Sequence, residues 1–285
     1  MNVLNPLWPE NESYIEEYAQ EIKQRKEGST VKLYLSEAKH YLIWLQQKKK
    51  SFHEMTKEDL LECREDMLLK GRKITTVNKW ISVMSSFLKW AKGRGYLTTN
   101  FAEHLRFLEE KKDKPKWLSM EQEMLLLKQA EQERSSLKKA RNEALIYVLL
   151  YAGLRVEEVS DLLLDSIDQG ELVVMEEDVE KRRIPIDLGL QVKLLDWLKY
   201  RSQSMKVFHQ ESSSLFVTER SGNMQPRSIQ FVVEGYSDKL GFTVTCQILR
   251  HTFCRRLVEK GVPLQTIKQW AGHKSIQSTL RYVEE

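Results

Sequence analysis

The sequence predicts a mainly α-helical protein of two domains with one small β-sheet. Apolar residues recur at helical spacing through most of the 285 residues. Strand-like patterning is confined to short runs in the second half. A charged, proline-bearing segment from Glu109 to Lys116 divides the chain into two stretches, each long enough to bury a core. The expected division is therefore residues 1–110, a linker over 111–116, and residues 117–285.

The first domain reads as four helices. One runs from Ser13 to about Lys26, with Tyr14, Ile15, Tyr18, Ala19 and Ile22 on one face. Gly28-Ser29 breaks it, and Ser29 or Thr30 can cap the next. That helix carries Leu33, Leu35, Ala38, Tyr41, Leu42, Trp44 and Leu45, and ends at Lys48-Lys49-Lys50, where cations suit a C-terminus. Thr56, with Asp59 three positions on, opens a third helix to Leu69. Thr75 or Thr76 opens a fourth, with Val77, Trp80, Ile81, Met84, Phe87, Leu88 and Trp90. Trp44, Trp80 and Trp90 read as bundle core.

In the second domain Ser119 can cap a helix, and an apolar helix from Lys138 to Tyr151 stops before Gly153. Glu171–Met175 and Arg182–Ile186 read as a hairpin. A helix from Leu188 to Tyr200, a short strand Leu215-Phe216-Val217, and helices over Ile229–Lys239, Cys246–Lys260 and Pro263–Trp270 complete it.

Composition excludes several classes. The net charge of +4 and pI of 8.7 permit a nucleic-acid partner without requiring one. Cys63, Cys246 and Cys254 are too few and too irregularly spaced for a disulfide framework or a zinc finger, which suits a reducing cytosol. The first residues lack the pattern of a signal peptide, and no apolar run approaches the ~20 residues of a membrane span.

The chemistry concentrates in a few places. Arg155 stands in Gly153-Leu154-Arg155-Val156-Glu157-Glu158, and Arg250 and His251 close the run Gln247-Ile248-Leu249-Arg250-His251. His273 follows Ala271-Gly272, and Tyr282 lies nine residues further on. Two arginines can grip the non-bridging oxygens of one phosphodiester. A tyrosine hydroxyl can attack phosphorus, although its pKa of ~10 makes it a poor nucleophile unaided. A histidine can move protons. Glu176-Glu177-Asp178 is the tight acidic cluster of this half, and in a hairpin turn it reads as solvated charge rather than a metal site. No P-loop is present, so neither a metal nor a nucleotide cofactor is expected. Arg72, Lys73, Thr75, Thr76, Asn78 and Lys79 surround a helix start, where backbone and side-chain donors can meet phosphates.

This order and spacing resemble the tyrosine recombinases, the phage-integrase and Xer-like family, from about Ser13 to Tyr282. The matching elements are Gly-Leu-Arg-x-x-Glu at 153–158, Leu-Arg-His at 249–251 and Gly-His at 272–273. The first histidine of the family's His-x-Leu-Arg-His is replaced by Gln247. The resemblance implies a two-domain DNA clamp, with an N-terminal helical core-binding (SAM-like) domain and a C-terminal α+β catalytic domain. It implies catalysis by Tyr282, Arg155, Arg250 and His273, supported by Glu158 and His251, with Gln247 as a hydrogen-bonding clamp on the phosphate. It also implies a hairpin lysine that protonates the leaving 5′ oxygen. Gapless alignment to Gly-Lys-Gly-x-Lys-x-Arg puts that position on Glu177. Of the nearby Lys181, Arg182 and Arg183, only Lys181 readily loses a proton, so it is the expected acid, and the two arginines are expected to contact DNA. The implied partners are a duplex core site and further copies of the chain, as a dimer on one site and a tetramer around a four-way junction.

Without an arm-binding domain, the chain looks more like a resolvase-type enzyme of a mobile element, of the TnpI kind, or a Xer-like enzyme, than a large phage integrase. Three residues follow Tyr282, too few for a docking helix. Coupling between active sites is therefore expected from Met1–Asn11, through Leu4, Leu7 and Trp8, or from the segment beginning at Ser275. A type IB topoisomerase would use the same kind of residues. A DNA-binding regulator with a decayed site would explain Gln247 and the displaced lysine.

Overall fold

The computed structural model describes residues 6–26, 28–110 and 114–283. Leu4, Glu284, Glu285, the Ser29 side chain and linker residues 111–113 lie outside the described residues. The chain forms two compact units, Met1–Lys112 and Asp113–Glu285.

The first unit contains α1 (Pro9–Lys23), α2 (Gly28–Gln47), α3 (Lys57–Leu69) and α4 (Ile74–Gly93). Pro9 opens α1, ahead of the apolar periodicity, because its fixed φ and missing donor suit a first helical position. Thr56 and Asp59 cap α3 reciprocally: Thr56 N donates to Asp59 Oδ2 at 2.7 Å and Asp59 N to Thr56 Oγ1 at 3.4 Å. Tyr18, Tyr41, Trp80 and Phe87 fill the core, with Trp44 and Trp90 at its edge. Leu7 belongs to the same core, and Gln46 accepts from Trp8 N and Asn11 Nδ2 at 2.9 and 2.8 Å. Leu7 is thus an anchor within its own unit.

The second unit begins with α5 (Met120–Glu131), capped by Ser119 and Gln122, and α6 (Ser136–Tyr147). α6 runs into a π turn over Val148–Ala152, closed by Gly153 in the left-handed region at φ 61°. Then follow α7 (Val156–Asp161), β1 (Ile167–Asp168), β2 (Glu171–Glu176), β3 (Val179–Pro185), α8 (Leu188–Ser202), α9 (Val207–Glu211), α10 (Pro226–Leu240), α11 (Cys246–Glu259), α12 (Leu264–Ala271) and α13 (Gln277–Leu280). The sheet is antiparallel in the order β1-β2-β3.

The β2–β3 turn is Glu177-Asp178, both left-handed at φ 51° and 62°. That matches a type I′ turn, which usually takes Asn-Gly. Val174 pairs with Arg182 but Met175 pairs with Glu180, so Lys181 is the extra residue of a β-bulge. Leu215-Phe216-Val217 is not a strand. These residues are buried, but only Ser214 bridges Leu163, so the segment is an apolar connection through the core. Burial alone does not distinguish such a segment from a strand. The main core gathers around Leu145, Leu149, Trp197, Phe216 and Ile229, and a smaller cluster comprises Phe253, Cys254, Ala271 and Tyr282. Cys63, Cys246 and Cys254 are buried free thiols. Among the described residues no helix is long and apolar enough to cross a membrane.

Candidate active site

The site is organised by the C-terminal end of α12. A helix leaves its last carbonyls without intrahelical partners. Here His273 N donates to Lys268 O and Gly272 N to Gln269 O, both at 3.0 Å, with Gly272 left-handed at φ 62°. That is a Schellman closure. The next three carbonyls each receive a guanidinium. Arg182 Nε donates to Trp270 O at 2.8 Å, Arg250 to Ala271 O, and Arg155 Nη2 to Gly272 O at 2.5 Å. Cations at this end also oppose the negative pole of the helix dipole.

Arg155 sits at the N-cap of α7, just after the Gly153 turn. Arg250 reaches back to the same turn, donating to Gly153 O at 2.5 Å. Both glycines are needed sterically. A Cβ on Gly153 would lie 2.1 Å from the Phe253 ring, and one on Gly272 would lie 2.9 Å from the Arg182 guanidinium and 3.2 Å from that of Arg155.

Glu158 holds the arginines together. It accepts from Arg155 Nη1 at 2.9 Å and from both terminal nitrogens of Arg182 at 2.9 Å, with Arg250 Nη1 at 4.0 Å. Burial alone would raise the Glu158 pKa. The hydrogen bonds and charge of Arg182, with the Arg155 N–H and guanidinium, outweigh burial and hold the carboxyl below its usual value.

The aromatic part of the site lies beside this cluster. His251 Nδ1 is 2.5 Å from the Tyr282 hydroxyl. The His273 ring stacks on the Tyr282 ring at 6.0 Å and 8°, and its Nδ1 meets Thr279 Oγ1 at 2.9 Å. Burial lowers both histidines to about 4, assisted by Arg281 and Arg250 at His251 and by Arg250 and Arg155 at His273. Both imidazoles are therefore neutral near pH 7. Tyr282 is itself 4% exposed, and burial, then Cys254, push its hydroxyl above the usual value against the pull of Arg250.

Arg155, Glu158, Lys181, Arg182 and His273 line an open cleft of ≈ 1680 Å³. This exceeds the ~300–1,000 Å³ of a small-molecule pocket and suits a polymer. Lys181, at the bulge, is ion-paired with Glu176. Gln247 is exposed on the first turn of α11, three residues before Arg250.

Arg182 corrects an expectation. It is 8% exposed, with donors engaged by Glu158 and Trp270, so it is a brace inside the site rather than a DNA contact. The signal was period-two alternation, since Arg182 shares the buried face of β3 with Ile184. Arg183, on the other face, pairs with Glu180 and Asp168. Asn78 is the second correction. Its amide donates to Leu108 O at 3.0 Å and accepts from Leu108 N at 2.8 Å, tying the exit of the first unit to α4 instead of facing a phosphate. Arg72, Lys73, Thr75 and Lys79 are exposed at the start of α4, and Thr76 is half-buried. Two positioning contacts had no sequence motif: Thr279 on His273, and Arg255 Nη1 on Tyr282 O at 3.0 Å.

Arg155, Arg250, Tyr282 and two neutral imidazoles meet around the end of α12, an arrangement that can hold and attack a phosphodiester. Residues 116–285 match the phage integrase family, and residues 15–95 match the phage integrase N-terminal SAM-like domain. The chain is similar to tyrosine recombinase XerC of Thermodesulfovibrio yellowstonii, at 25% identity over 76% of this chain and 73% of that protein. It is similar to tyrosine recombinase XerA of Thermococcus onnurineus, at 24% identity over 100% of this chain and 92% of that protein. In fold it is similar to a lambda integrase dimer bound to a COC′ core site, with TM-score 0.73, 17% identity, and coverage of 96% of this chain and 95% of that one. The Tn1549 transposon integrase in complex with circular intermediate DNA gives TM-score 0.73 and 19% identity, with 95% of each chain covered. The chain belongs to the phage integrase family and is an enzyme of the tyrosine-recombinase type.

Proposed function

We propose that this chain cuts and rejoins duplex DNA at a specific site through a covalent 3′-phosphotyrosine on Tyr282. The observation that carries the reading is the convergence of Arg155, Arg250, His273 and Tyr282 on the end of α12, from three separate stretches of sequence. Arg155, with its side chain 40% exposed, faces the cleft, while Arg250 lies behind it at 10%. Both stay protonated and draw charge from the scissile phosphate as the Tyr282 oxygen attacks. Phosphoryl transfer depends chiefly on such positioning and electrostatics. Lys181 protonates the departing 5′ oxygen, moving from Glu176 to the substrate. Gln247 donates to a phosphate oxygen, and His273 holds the nucleophile's ring.

The partners in this reading are a duplex core site and further copies of the chain, as a dimer on one site and a tetramer around a four-way junction, in the cytoplasm. Arg72, Lys73, Thr75, Thr76 and Lys79 contact the backbone from the first unit.

The test begins with enrichment of bound sequences from a random duplex pool. A nicked duplex carrying the enriched sequence should then trap a covalent adduct with the wild-type chain and none with Tyr282→Phe. An adduct in Tyr282→Phe, mapped by peptide analysis to another residue, would overturn the assignment. Relaxation of supercoiled plasmids irrespective of the enriched site would move the reading to a type IB topoisomerase.

A further inference from the structure

A tyrosine attacking phosphorus must release its proton, and the structure offers few acceptors. Gln247 occupies the position where the matched motif has a histidine, and an amide does not titrate. His273 presents its ring face to Tyr282 and turns Nδ1 to Thr279, so it is not aimed at the hydroxyl. Cys254 packs beside Tyr282, but burial pushes its thiol up to about 11, so it keeps its own proton. Arginines do not deprotonate. Lys181 is on the cleft side, paired with Glu176. His251 is different: its Nδ1 lies 2.5 Å from the Tyr282 hydroxyl.

We infer that His251 is a catalytic residue of this chain, the proton acceptor for Tyr282 during strand cleavage and the donor that returns the proton during rejoining. The inference rests on the proposed reading of Tyr282 as nucleophile. The geometry divides two tasks between neighbours on α11. Successive helical residues point about 100° apart, so Arg250 meets Gly153 and Ala271 while His251 meets Tyr282. The groups that act on the imidazole are Arg281, Arg250, the Tyr282 hydroxyl and, after α12, His273. Burial and these cations keep the ring neutral at pH 7. With the proton on Nε2, Nδ1 is free to accept.

The step balances. As the Tyr282 oxygen–phosphorus bond forms, the hydroxyl proton passes to His251 Nδ1. The phosphorus–O5′ bond breaks with its electron pair on O5′, which takes a proton from Lys181. Rejoining reverses each transfer.

The experiment uses the full chain and nicked duplexes of the enriched sequence, with either oxygen or sulfur at the 5′ bridging position. A thiolate leaves without a proton, so sulfur bypasses the acid but not the base. His251→Ala should form adduct about 10²-fold or more slowly on both substrates, with DNA binding within a few-fold of wild type. Added imidazole and rising pH should partly restore its rate. Lys181→Ala should be rescued by sulfur. His251→Asn keeps an acceptor near the Nδ1 position without a titrating group, and should stay slow. A His251→Ala rate within about three-fold of wild type would overturn the inference. So would rescue by sulfur, or wild-type speed in His251→Asn. If the wild-type chain forms no adduct at all, the reading of Tyr282 fails and the inference falls with it; adduct formation at wild-type speed in His251→Ala removes the inference alone.

Discussion

At the scale of residues, the two arginines proposed to grip the phosphate should behave alike in catalysis and differently in stability. Replacing either by alanine removes charge aimed at the transition state, and strand cleavage should fall about 10²–10³-fold. Arg250 is buried and satisfies Gly153 O and Ala271 O. Arg250→Ala leaves both carbonyls short of a donor, and should cost about 1–3 kcal/mol of folding stability. Arg155 is more exposed, and Arg155→Ala should melt closer to wild type. Adduct kinetics and thermal melts on the same preparations check both halves. Equal melting temperatures would contradict the different bracing roles.

At the scale of elements, the left-handed glycines that close the π turn and α12 set where the arginines sit. Gly272→Ala puts a methyl group against two guanidinium groups at a backbone φ of 62°. The left-handed strain alone costs about 1–2 kcal/mol, and cleavage should fall with the displaced Arg155 and Arg182. Gly153→Ala meets a packed ring instead, and should lose about 2–4 kcal/mol with overpacking added. Denaturant midpoints and adduct rates separate the two variants; a Gly272→Ala protein cleaving at wild-type speed would contradict the placement. Much of this architecture was legible in advance. Periodicity marks the long helices because an amphipathic face repeats every turn, and Thr56, Ser119 and the glycines announce their ends. β1 and α9 are two and five residues long, too short for any period to show. The order of motifs names Arg155, Arg250, His273 and Tyr282, but not the bonds among them. Nothing local distinguishes Arg182 from Arg183 except the alternation of the strand, and the contact of His251 with Tyr282 depends on α11 meeting the turn that follows α13, thirty-one residues away.

At the scale of the whole molecule, each unit has its own buried cluster. We expect residues 114–285, expressed alone, to melt cooperatively and to bind DNA with a shallower salt dependence, because phosphate contacts from the first unit are lost. An unfolded fragment in circular dichroism would refute this. Stability should also depend on pH through the two neutral histidines. An unfolded histidine titrates near 6.5, whereas His251 and His273 are held to about 4. Between those values the unfolded chain binds protons that the folded chain refuses, so stability falls as pH drops from 6.5, and the loss is complete below about 4. The paired variant His251→Asn, His273→Asn should lose that part of the slope. Glu158 acts in the same direction over a lower range, since its carboxyl is held below the ordinary value and must be protonated as the fold is lost.

The pairing of Glu158 with Arg182 also restricts how this sequence can drift. Changing Arg182 alone leaves the buried Glu158 carboxylate with Arg155 as its remaining hydrogen-bond donor and frees Trp270 O; changing Glu158 alone leaves Arg155, Arg182 and Arg250 to repel one another around the same helix end. Single steps in either direction lead through a damaged intermediate, so viable variants at these two positions must arrive together. A deep mutational scan would find both sites nearly invariant, while the neighbouring Arg183, tied only to partly exposed carboxylates, would accept most polar replacements.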